Sequence, residues 1–451
     1  MTISETSRHG RGRYWRLLPV AACAVVVAVI LGALAPDRRA PAGGGGSGPA
    51  AAGVDAGRGA RVAASRNAAP TPTEASLRLQ SLLGQHSVLA ADMMRGRLRG
   101  DPDLAQAANA ALGKNTDAVG GLVGALFGDQ AKNQFTTLWA GHVAALFNYA
   151  RGVADKDAAV RRQAIASVTK FEGDLAGFFS AASQGRLPRA VAASAVKTHI
   201  DHLLRQADAY AAGNYPLSDR VYRESYTHAF GLGMALASTL LPPTAARALT
   251  APSWRLRSEL DRLLGEYVVL VVAAMRAGAT DAANFRTAAA TADANTRDLA
   301  GAMDALFGQA AARRFQSLWA DHVDALVAYS GAVAKSDDAQ RATAGQQLST
   351  FEAKLAQFLR AATRDRMAAT TLARALRTHD QTLLQEADAY AAKDYRRAHD
   401  IAYSTYEQMF ELARQLSEAF GDTVAARMPT GGVQTGSGGM ATVVERRGHG
   451  S

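Results

Sequence analysis

One cysteine, Cys23, stands in the whole chain, and it lies inside an apolar N-terminal run. The chain cannot form an internal disulfide, and the rest of it has no thiolate to offer as nucleophile or metal ligand. Prolines are few and β-branched runs are short, so long helices go uninterrupted and no sheet pattern emerges. Catalytic signatures are missing as well. There is no HExxH, no P-loop, no GxGxxG opening on a strand, no GxSxG and no Glu-x-x-His pair of the di-iron bundles.

A basic stripe is also missing, although the net charge is +10. Nine arginines face four acids within residues 1–74, and three arginines face Glu445 beyond position 426, so most of the excess sits at the two ends. The middle of the chain mixes both signs on its helix faces, which argues against a nucleic-acid partner.

What is present is repetition. Leu138-Trp139-Ala140-Gly141-His142-Val143 returns further along the chain as Leu318-Trp319-Ala320-Asp321-His322-Val323. The same offset in numbering relates Ala125–Gly128 to Ala305–Gly308, Phe171-Glu172 to Phe351-Glu352, and Thr198-His199 to Thr378-His379. The expected fold is all-α: two tandem repeats of about 165 residues, each a six-helix antiparallel up-down bundle of three helical hairpins. Breaks are expected near Gly100-Asp101-Pro102, Gly128, Asp155–Asp157, Gln184–Pro188 and Gly213–Tyr215, with matching breaks in the second copy.

Around these repeats the expected organisation is a basic cytoplasmic segment (1–16), an apolar transmembrane signal anchor or signal peptide (17–35) and a Gly/Ala/Pro linker (36–74). Repeat one (75–241), a junction (242–254), repeat two (255–427) and a disordered tail (428–451) follow. The apolar run would span about 28 Å as a helix, close to one hydrocarbon core. Arginines 8, 11, 13 and 16 precede it, so the repeats are expected outside the cytoplasm. The cell membrane is thus one expected partner through residues 17–35, and secretion is the alternative if the segment is cleaved.

A smaller period carries the candidate site. His86, His142 and His199 stand at nearly equal intervals, and Tyr267, His322 and His379 repeat those intervals in the second copy. Each lies about 14 residues before a hairpin tip. Each has a polar residue at the same height on the returning helix: Asn115, Glu172 and His228, then Asn295, Glu352 and Gln408. A polar layer across the middle of each bundle follows. Two readings are open for it. In one, Glu172 accepts hydrogen bonds from His142 and His199 and the layer fixes helix register. In the other, His142, Glu172, His199, His86 and His228 hold copper, zinc or iron, with His322, Glu352 and His379 as a weaker second copy.

The recurring Leu-Trp-x-x-His with the Leu-Phe-Gly before it resembles a group of uncharacterised bacterial exported helical proteins. The likeness covers residues 75 to 425 and implies fold and location; the group brings no established activity. The alanine- and arginine-rich composition points to a high-GC bacterium, in particular an actinobacterium. The function expected first is a non-enzymatic, extracytoplasmic binding or scaffold module with a cell-surface protein partner. A metal-binding protein, or an oxidoreductase built on that metal, is the alternative.

Overall fold

The computed structural model describes residues 70–241 and 247–421. Twelve α-helices and no strands are found among these residues. They are α1 (Pro72–Leu98), α2 (Pro102–Phe127), α3 (Asp129–Ala154), α4 (Ala158–Ala182), α5 (Arg189–Ala211) and α6 (Tyr215–Leu240), then α7 (Pro252–Ala279), α8 (Phe285–Phe307), α9 (Gln309–Lys335), α10 (Asp338–Ala362), α11 (Ala369–Ala391) and α12 (Tyr395–Ala419). The apolar run 17–35 lies outside the described residues. No described helix is long and apolar enough to cross a membrane.

The helix ends follow from local chemistry at the residues that mark them in the sequence. Asp101, Asp157, Asp337 and Asp394 each cap a helix by accepting a hydrogen bond from a first-turn amide. Thr71 and Glu74 form a reciprocal capping box at the start of α1. Gly128 alone joins α2 to α3, with φ of 86°, and Gly308 joins α8 to α9 with φ of 84°. A side chain at either position would be strained in that left-handed region, so these one-residue turns depend on glycine.

Consecutive helices pack against each other, and two helices reach further. Helix α1 contacts α2, α3, α5 and α6, and α7 contacts α8, α9, α11 and α12. Of the 27 residues of α1, 18 are buried, and of the 28 of α7, 21 are buried, so both are central helices enclosed by others. Close approach around α1 relies on small residues. A Cβ on Gly233 of α6 would lie 2.5 Å from the Gln80 Cα and 2.6 Å from the Gln80 nitrogen. Backbone cannot yield as a flexible side chain can, so Gly233→Ala is expected to cost about 1–3 kcal/mol. Urea denaturation measures it, and a midpoint equal to that of the unaltered chain would contradict this account of the contact.

The two sets of helices also touch each other, through α1–α7, α6–α7, α6–α8 and α2–α12. At their meeting point the hydroxyls of Tyr226 and Tyr406, 180 positions apart in the chain, are 3.2 Å apart. Self-pairing of equivalent residues is what an isologous contact about a two-fold axis produces. Gly84 and Gly265 leave the space that the two tyrosine rings fill. Nearby, the Ser258 hydroxyl donates to Gln80 Oε1 at 2.7 Å, and the Tyr406 hydroxyl donates to the Ser81 carbonyl at 3.0 Å.

Candidate functional site

Three histidines meet in the core of the first six helices. His86 comes from the central helix α1, His142 from α3 and His199 from α5. Their exposures are 0, 1 and 6%. His86 Nε2 lies 3.0 Å from His142 Nε2, so one ring donates to the other. One nitrogen from each of the three rings falls within 4.8 Å of the other two. Both ring nitrogens of His199 are buried without a hydrogen-bond partner, while Asn115 supports His86 and the Trp139 backbone supports His142.

The walls around this trio are apolar. Phe171 stacks on the His142 ring at 4.3 Å and 12°, and Trp139 lies 4.6 Å from His86 and 4.7 Å from His142, centroid to centroid. Phe135 stacks behind Trp139. On the other side is a cavity of about 30 Å³ among Leu79, Val119, Phe135, Phe171 and Leu236, in whose wall His199 is the only titratable residue.

Burial in such surroundings disfavours the charged imidazolium. It takes the His142 pKa down to about 3 and holds His199 and His86 well below the ordinary value, with the neighbouring imidazoles pressing His86 and His199 further the same way. At neutral pH the site is three uncharged imidazoles, one of whose lone pairs accepts the hydrogen bond between His86 and His142.

Glu172 is not part of this convergence. It follows Phe171 by one residue, about 100° round helix α4, so when Phe171 faces His142 the carboxylate points to the boundary. It is half-buried there, its pKa raised by burial against the pull of Lys197. His228 also sits elsewhere. Its Nε2 donates to the Ala195 carbonyl at 3.1 Å, and its ring lies 5.3 Å from that of His202. Asn115 stands beside His86 and donates its amide to Gln85 Oε1 and the Leu82 carbonyl at 3.0 Å each.

The second six helices hold a related but different cluster. His322 of α9 meets His379 and Asp380 of α11, and one ligand atom from each falls within 4.8 Å of the others. His322 Nε2 is 2.7 Å from Asp380 Oδ1, and the Tyr267 hydroxyl is 3.1 Å from His379 Nε2. Phe351 stacks on His322 at 4.0 Å, as Phe171 does on His142. Glu352 stands apart again, accepting from Arg377 Nε at 3.0 Å. Asp380 escapes the sequence pattern because its counterpart in the first copy is the apolar Ile200.

Asp208 and Asp388, each near a helix end, are tied down. Tyr149 and Arg161 both donate to Asp208, and Tyr329 and Arg341 both donate to Asp388. These two clusters join helix ends at the surface and make no bond to the histidines. In comparisons with known proteins, the chain matches no family model, no curated protein and no solved structure.

Proposed function

We propose that this chain is a metal-binding protein that holds a copper(I) ion on His86, His142 and His199. The observation that carries the reading is the convergence of three buried, neutral imidazoles of which only His86 and His142 bond to each other. A hydrogen-bonded network built only for register would satisfy its members, and His199 has no partner for either nitrogen.

Charge selects the ion. The three ligands bring no negative charge, and Phe171, Trp139 and an apolar cavity surround them. The solvation cost of a buried ion grows with the square of its charge, so an uncompensated divalent cation is penalised about four times as heavily as a monovalent one. Imidazole suits copper, and three such ligands suit a monovalent ion that needs few. Near-complete burial favours holding or carrying the ion over turning over a substrate. We also propose that the chain is two tandem six-helix bundles from a duplication, held outside the cytoplasm through residues 17–35. The equivalent contacts in the two halves and the nearly constant offset between the copies support the first part.

The test is an anaerobic titration of the full chain with copper(I) against a chromophoric competitor. One equivalent is expected to bind. His142→Ala and His199→Ala are each expected to weaken it by more than about 100-fold, beyond the 10- to 100-fold typical of outer-shell changes, while far-ultraviolet circular dichroism stays helical. Equal uptake by all three proteins, or none by any, would return the chain to a non-enzymatic scaffold with a structural histidine cluster.

A further inference from the structure

The second cluster is not a weaker copy of the first, because its ligand set carries a charge. In place of His86 stands Tyr267, and in place of Ile200 stands Asp380. Asp380 is 2% exposed. A carboxylate at that depth needs a cation, a proton or several donors. It has one donor, His322, while Oδ2 is buried with no partner at all. No lysine or arginine bonds to it among the described residues; Arg377, on the same helix, is engaged by Glu352. His322 and His379 each leave Nδ1 buried and unpartnered, so either ring can shift its proton to one nitrogen and present the other.

We propose that His322, His379 and Asp380 bind a divalent cation of the zinc class, at a site separate from the three-histidine site and independent of it. Two neutral imidazoles and one carboxylate give a ligand charge of −1, so a divalent ion leaves +1. A monovalent ion on three imidazoles leaves the same +1. The duplicated core therefore offers the same electrostatic balance to two different ions, and the exchange of Ile200 for Asp380 sets which ion each half takes. The donor atoms lie within 4.8 Å of one another. Tetrahedral zinc bonds of roughly 2.0–2.2 Å place ligand atoms about 3.3 Å apart, so a small rotation of the side chains closes the set. Tyr267 then stands beside the ion as the polar group that leaves His379 when it turns to the metal.

Equilibrium dialysis of the full chain against zinc, with elemental analysis, tests this. One zinc per chain is expected. Asp380→Asn, which keeps the shape, and Asp380→Ile, which installs the residue the first half already packs at that place, are both expected to reduce zinc affinity by more than about 100-fold. His142→Ala is expected to keep it. Zinc binding that survives both Asp380 substitutions within twofold overturns the proposal, as does an unaltered chain that takes up none. Zinc lost on His142→Ala and kept in Asp380→Asn also overturns it, and moves the divalent ion to the first cluster. Failure of copper(I) to bind the three histidines leaves the zinc result unchanged, so the two proposals fail separately.

Discussion

The metal-free chain is expected to unfold near pH 5. Seven histidines have pKa values held below the ordinary one by burial: His86, His142, His199, His202, His228, His379 and His399. For His142 the folded value is about 3, and for His202 and His379 about 4. Unfolding releases each to about 6.5. Between those limits the unfolded chain binds protons that the folded chain refuses, so stability falls as pH falls, by about 1.4 kcal/mol per pH unit for each such group. It is fully present above the unfolded value. Three of these histidines acting alone remove about 5 kcal/mol between pH 6.5 and pH 5, against a typical total of roughly 5–15 kcal/mol.

Buried carboxyls oppose them in that window, Asp261 foremost. Burial raises Asp261 to about 7 against the pull of Arg257. The folded chain therefore holds a proton there that the unfolded chain releases, which adds stability on acidification and offsets about one histidine. Glu386 and Glu352 are raised in the same direction, also by burial, and work the same way. Urea denaturation at pH 7.5, 6.0 and 5.5 measures the balance. A midpoint that stays level or rises on acidification would show that the buried rings take up protons in place. His199→Leu is expected to flatten the pH dependence, because it removes a refused proton and leaves an apolar side chain beside the apolar cavity.

How far the sequence reaches is clear from particular residues. Helix boundaries are legible because they are written in local chemistry: Asp101 with Pro102, Gly128, Asp157, and Asn214 with Tyr215. The histidine heights are legible too, since helical rise turns the even spacing of His86, His142 and His199 into a common level. Height is not azimuth. Glu172 has the right height and the wrong side, because a single residue step past Phe171 turns it toward Lys197. Asp380 is illegible in repeat comparison, since its counterpart is Ile200. The enclosure of α1 and α7 is also hidden. Their sequences read as one arm of a hairpin, and only the burial along them reveals contacts on every side.

Arg276→Met is expected to cost about 3–5 kcal/mol, the typical result of removing one partner from a buried ion pair. Arg276 is 7% exposed and ties its own helix to three others. Its Nε donates to Glu386 Oε1 at 2.7 Å and its Nη1 to Asp92 Oδ2 at 2.8 Å. His399 accepts from Nη1 at 3.4 Å, and the guanidinium lies 5.0 Å from the Tyr390 ring centre. Asp92 belongs to α1 and the others to α7, α11 and α12, so this cluster crosses between the two halves. Burial already raises Glu386, and Arg276 is what opposes that. Methionine fills the volume but leaves two carboxylates without their cation. The first half indicates the remedy. There Arg95 faces the neutral Gln206 at the position of Glu386, and its ion pair among the described residues is with Asp219. Arg276→Met with Glu386→Gln is therefore expected to recover part of the loss, since one of the two stranded charges is gone. Thermal and urea unfolding of the two variants measure this. A double variant no more stable than Arg276→Met would place the cost in Asp92 and in the contact between the halves, and a single variant within about 0.5 kcal/mol of the unaltered chain would show that water reaches the carboxylates.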